Sequence, residues 1–163
     1  MSRKYKFKNP NVAYFISFAT VYWIDLFTRQ AYFSILEASI EQCRKEKGLE
    51  VFAYCFMPSH VHLVFRSNIE DPSGLLRDFK GFTARKTIKA IEVNQEESRK
   101  EWLLWMMERA GKKNCNTKKR HLWQQNNKPI GLWSGKVLKQ KIDYIHNNPV
   151  EQGFVTGPGR LEI

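Results

Sequence analysis

His60 and His62 stand one residue apart in Tyr54-Cys55-Phe56-Met57-Pro58-Ser59-His60-Val61-His62-Leu63-Val64-Phe65. The stretch reads as an apolar strand, a Pro-Ser turn and a second apolar strand. Along a strand, residues i and i+2 share a face, so the two imidazoles lie side by side about 7 Å apart. Val61, Leu63 and Phe65 fill the opposite face. Two such imidazoles can converge on one divalent cation. A His-x-His pair also occurs on plain surfaces and in satisfied cores, so any further ligand must come from elsewhere in the chain.

The last helix offers the other half of a reactive group. Ser134 is placed to cap it, it spans Gly135 to Asn148, and Pro149 is expected to end it. Leu138, Ile142 and Ile145 form its core stripe, while Val137, Lys141, Tyr144 and Asn148 share a neighbouring face at spacings of three and four. A tyrosine phenol ionises near about pH 10, so it needs a cation or a polarised phosphate nearby to act as a nucleophile. Asn148 can add the oxygen ligand that two imidazoles lack. The same pair also fits a tyrosine that anchors a helix end and an asparagine that caps it.

The elements that must position these groups follow from periodicity. Val12–Tyr22 is rich in aromatic and β-branched residues and reads as a buried strand. A helix runs from about Arg29 to Lys47, capped by Thr28 and stopped by Gly48. Strands at Leu49–Met57 and His60–Arg66 pair as a hairpin. Asp71-Pro72-Ser73-Gly74 is a turn and cap, after which a helix runs to about Val93 with Arg77, Lys80, Arg85, Lys86 and Lys89 on one face. That face suits a phosphate backbone or plain solvent. Glu96–Ala110 is a further helix. The basic loop Gly111–Arg120, with Lys118, Lys119 and Arg120, is a DNA contact or a solvated loop. His121–Trp123 and Pro129–Trp133 read as short strands.

At 163 residues the chain is expected to be one domain, 1–163, with 1–11 as a flexible basic arm and 156–163 as a short tail. Its 27 Lys and Arg against 16 Asp and Glu leave a net charge of +11. That excess points to a polyanionic partner, nucleic acid before an anionic membrane surface. No apolar run approaches a membrane span and the start has no signal-type core, so a cytoplasmic protein is expected. Cys43, Cys55 and Cys115 form neither a zinc knuckle nor a disulfide framework.

Two separated segments, Tyr54-Cys55-Phe56-Met57-Pro58-Ser59-His60-Val61-His62-Leu63 and Asp143-Tyr144-Ile145-His146-Asn147-Asn148-Pro149-Val150, resemble the two signatures of the single-tyrosine HUH transposases. Within them the chain is most similar to the REP-associated, IS200-like branch, which Tyr14–Phe18, Leu76–Lys80 and Leu122–Gln124 also resemble. The resemblance implies an α+β, ferredoxin-like (RRM-like) antiparallel sheet with helices packed on it. The His pair would lie on a central strand and the tyrosine on the C-terminal helix. It further implies cleavage and rejoining of single-stranded or hairpin DNA through a 5′-phosphotyrosine. Tyr144 would be the nucleophile, and His60, His62 and Asn148 would hold Mg²⁺ or Mn²⁺. Lys141, Arg77, Lys80, Arg85, Lys118, Lys119 and Arg120 are the DNA-contact candidates. Relatives occur as monomers and homodimers, act on DNA in the bacterial cytoplasm at the nucleoid, and usually continue beyond this point with an aromatic, Ser-rich tail. A non-catalytic nucleic-acid-binding module and a metal-dependent hydrolytic nuclease are the competing readings.

Overall fold

A computed structural model describes residues 6–113, 119–125 and 127–153. The elements run β1 (Ala13–Ala19), α1 (Gln30–Glu46), β2 (Leu49–Phe56), β3 (His60–Ser67), α2 (Pro72–Val93), α3 (Lys100–Lys112), β4 (Ile130–Leu132) and α4 (Gly135–Glu151). The four strands form one antiparallel sheet in the order β2-β3-β1-β4. This is the expected α+β, ferredoxin-like arrangement, with β3 and β1 at its centre.

Alternation along the central strands divides the molecule into layers. Tyr14, Ile16 and Phe18 of β1 and Val61, Leu63 and Phe65 of β3 pack in one cluster with Leu36 and Ile40 of α1 and Leu75, Leu76 and Phe79 of α2. The opposite face carries Phe15, Val64, Ala53 and Cys55, against Ile145, Leu138 and Ile142 of α4. His62 belongs to this second face. The first layer holds most of the buried apolar area, and hydrophobic burial at about 25 cal/mol per Å² makes it the main source of stability.

Several expected boundaries move. The first strand stops at Ala19, because Thr20 turns the chain: its hydroxyl donates to Ile24 O at 2.8 Å and its N–H to Ser59 O at 2.9 Å. Tyr22 and Trp23 then adopt positive φ of 54° and 55°. For non-glycine residues this backbone costs on the order of 1–3 kcal/mol each and persists only where the surroundings over-determine it. Arg29, not Thr28, is the N-cap of α1, and the Thr28 hydroxyl donates to Asp25 O instead. The expected strand at His121–Trp123 is a single bridge between Thr20 and Trp123. Leu122 and Trp123 are drawn into the core there, and the Trp123 indole donates to Thr83 Oγ1 at 2.9 Å. The helix α4 continues through Pro149 to Glu151 and closes with Gln152 N–H on Asn148 O. Of the expected flexible arm, Phe7 is packed edge-on against Tyr14 and Phe65, and residues 1–5 lie outside the described residues, as does the tail 156–163.

Candidate active site

The β1–β3 register sets the floor of the site. His60 pairs with Ala19 and His62 with Ser17, while Cys55 of β2 flanks His62 on the other side. Small neighbours on both flanks leave the imidazoles room on the face that α4 covers. The ring centroids of His60 and His62 are 4.8 Å apart and nearly perpendicular. His60 Nδ1 lies 3.2 Å from Ser59 Oγ. When Nδ1–H donates to that hydroxyl, Nε2 keeps a lone pair for a cation.

The helix delivers its phenol to the same place. Ser134 accepts from Val137 N–H and starts α4 in register, so Tyr144 and Asn148 fall one turn apart on the sheet-facing side. The Tyr144 ring meets His62 edge-on at 5.5 Å and Phe15 at 5.8 Å. Phe15 in turn stacks on His62 at 5.9 Å. Lys141 Nζ sits 4.7 Å above the Phe15 ring and 5.6 Å from that of Tyr144. Tyr144 remains 41% exposed, so a large substrate can reach its hydroxyl. Asn148 is 4% exposed, and its Nδ2 donates to the Tyr144 hydroxyl at 3.5 Å.

Unsatisfied polarity marks the centre of this arrangement. His62 Nδ1, His62 Nε2 and Asn148 Oδ1 are buried without a hydrogen-bond partner. Buried polar atoms are nearly always paired, so three orphaned acceptor or donor atoms in one small region call for a ligand. An imidazole pair plus an amide oxygen is a donor set that fits a divalent cation of the Mg²⁺ or Mn²⁺ kind, with imidazole favouring Mn²⁺. Among the described residues no cluster of three His, Cys, Asp or Glu side chains offers a different metal site.

Burial lowers the pKa of both histidines, and for His62 the neighbouring His60 adds to it, down to about 4. Both rings are therefore neutral at pH 7, the state that binds metal. The folded pKa of His62 lies below its ordinary 6.5, so the folded state binds protons less readily than the unfolded chain. The stabilisation is complete above about pH 6.5 and is lost as pH falls towards about 4. After discounting for solvent screening, metal-free protein is expected to lose about 2 kcal/mol over that window. Thermal melts in chelator across the window check this, and a flat profile would contradict it.

The basic candidates do not gather with the histidines. Arg77, Lys80 and Arg85 lie on α2, which packs on the opposite face of the sheet. Lys80 is engaged within the fold. Its Nζ donates to Gln124 O at 2.8 Å and Asn127 Oδ1 at 2.9 Å, and sits over the Phe18 ring. Burial pushes its ammonium down to about 8. It fastens the segment before β4 onto α2. Arg77 is bonded to Asp78 and Arg120 to Glu92. Arg85 and Lys119 are exposed away from the site, and Lys118 lies outside the described residues. Among the described candidates, Lys141 alone lies against Phe15 and Tyr144, the rings beside His62. Phe15 and Ser59 lie inside the motif segments without a role of their own there, and Trp23 lies outside them. Once β1 is paired with β3, strand alternation puts Phe15 beside His62, but that register is not written in either strand alone.

Comparison with solved structures gives the fold. A REP-associated tyrosine transposase bound to a REP hairpin has the same fold, with a TM-score of 0.65 at 18% identity over 96% of this chain and 77% of that one. A candidate transposase from Deinococcus radiodurans aligns more loosely, with a TM-score of 0.49 at 20% identity over 90% of this chain and 95% of that one. No curated protein matches the sequence. The chain belongs to the transposase IS200-like family, whose profile matches residues 8–108. It is thus a transposase, a DNA-binding protein of DNA transposition. The matched stretch includes His60 and His62, and Tyr144 and Asn148 lie beyond it. Among the described residues no helix is long and apolar enough to cross a membrane.

Proposed function

We propose that the chain cuts and rejoins single-stranded DNA through a covalent bond between Tyr144 and a 5′ phosphate. The observation that carries this reading is the exposed Tyr144 phenol beside His62, with the orphaned polar atoms of His62 and Asn148 next to it. The Tyr144 oxygen attacks phosphorus and loses its proton. The bond from phosphorus to the 3′ oxygen breaks, and that oxygen takes a proton to leave as a 3′-hydroxyl. The reverse attack by a 3′-hydroxyl restores a phosphodiester and frees the phenol, so no external energy source is needed. Lys141, over the Phe15 and Tyr144 rings, adds positive charge where the phenolate and phosphate carry negative charge. His60, His62 and Asn148 would hold the divalent cation, which when bound supplies Lewis-acid polarisation of the phosphate oxygen.

The substrate in this reading is a single strand beside a hairpin. The fold shared with a transposase bound to a REP hairpin and the net charge of +11 both support it. His62 and Tyr144 meet within one chain, so the proposed site needs no second copy, although homodimers are compatible with it. The test mixes the protein with labelled single strands from both flanks of its gene and Mg²⁺ or Mn²⁺, followed by denaturing electrophoresis and mass spectrometry. A chelator-sensitive covalent band with a nucleotide on Tyr144 is expected. Cutting without a band would point to a hydrolytic nuclease, and binding without cutting to a non-catalytic module.

A further inference from the structure

The turn after β1 holds two non-glycine residues in a strained backbone. Ile24 N–H bonds to Val21 O, closing a tight turn whose two central residues are Tyr22 and Trp23, both with left-handed backbone. Such turns ordinarily carry Asn and Gly at those positions. This one cannot relax, because its flanks are tied down. Thr20 N–H bonds to Ser59 O at 2.9 Å, Val21 N–H to Leu122 O at 2.8 Å, and Phe27 N–H to Pro58 O at 2.9 Å. Val21 and Ile24 are buried, while Trp23 is 60% and Tyr22 39% exposed. The strain therefore serves to turn two large rings out of the core.

One of those rings borders the proposed site, and the other, next to it in sequence, lines a cavity. Trp23 meets His60 edge-on at 5.6 Å, on the edge of the His pair. Tyr22 walls a cavity of about 470 Å³ together with Val21, Trp123 and Gln125. That volume lies in the range of pockets that take small planar ligands. Lys113 Nζ stands 5.5 Å over the Tyr22 ring. Exposed aromatic faces with a cation beside them are the means by which proteins hold unpaired bases and the backbone that links them.

We propose that Tyr22 and Trp23 form a stacking platform for unpaired bases of single-stranded DNA beside the scissile phosphate, with the Tyr22 cavity receiving one base. The platform would set which nucleotides flank the cut. The inference rests on the reading that a single strand passes over the His pair.

The test compares binding of oligothymidine with that of an abasic strand of the same length, in wild type, in Tyr22→Asn/Trp23→Gly and in Trp23→Ala. The double variant installs the residues that this turn prefers, so its melting temperature is expected to stay level or rise. Its affinity for oligothymidine should fall about 5- to 150-fold for each base stack removed, with the abasic strand bound as before. Trp23→Ala, which leaves Tyr22 in place, should show a smaller part of that loss. A variant pair that keeps the wild-type preference for bases, or that loses both strands equally, overturns the platform. Binding needs no cutting, so the two proposals can fail separately. Discrimination without an adduct would leave the platform and sink the phosphotyrosine, and an adduct without discrimination would do the reverse.

Discussion

Tyr144→Phe is expected to bind single-stranded DNA as the wild type does and to form no covalent adduct. The substitution deletes one oxygen and keeps the ring that meets His62 at 5.5 Å and Phe15 at 5.8 Å. The only hydrogen bond described for that hydroxyl is a long one from Asn148, and the side chain is partly exposed, so stability should change by no more than about 0.5 kcal/mol. The proposed reaction loses its nucleophile outright. Strand cleavage should fall by about a thousandfold or more, with affinity within about twofold of wild type. Single-turnover cleavage and anisotropy titration, run side by side, separate the two quantities. Undiminished cleavage by the Phe variant would remove Tyr144 from the reaction.

The second large effect concerns His62. In the absence of metal, His62→Leu is expected to raise stability by about 1–2 kcal/mol, since an apolar side chain replaces a buried imidazole with two unsatisfied nitrogens. In the presence of Mn²⁺ the order should reverse. A cation at a hundred times its dissociation constant stabilises the folded state by about 2.7 kcal/mol. For a chain of this size that is a rise in Tm of roughly 5–10 °C. The variant should lose that rise together with DNA cleavage. The same replacement should remove most of the acid-side loss of stability described above, because the titrating group is gone. An equal Mn²⁺ shift in wild type and variant would place the cation elsewhere.

Local periodicity made the two halves of the site legible. Alternation put His60 and His62 on one face, and a spacing of four put Tyr144 above Asn148, because both relations are settled within a single element. What brings the halves together is not local. Phe15 reaches His62 only through pairing of strands far apart in sequence, and neither strand states its register alone. The partners of Lys80 are hidden in the sequence for a related reason. A lysine on a helix reads as a surface cation, and only the segment folded over it, with Gln124 and Asn127, turns it into an internal clamp. Tyr22 continued the aromatic, β-branched pattern of β1 and so read as strand. The competing demand of Thr20, bonded to Ser59 and Ile24, ended the strand before it.

The unequal layers of the molecule bear on its motions. α1 and α2 cover one face of the sheet with a large apolar cluster, whereas α4 buries only Ile145 and Asn148 along its length. The proposed nucleophile therefore rides on an element that can open as a unit while the sheet stays intact. Native-state hydrogen exchange should find the α4 amides released through a small sub-global opening, long before those of β3. Equal protection of the two would show the helix to be fused to the core. A separate, weaker foldon under the tyrosine would let a captured strand end leave the His pair and return to it without the protein unfolding.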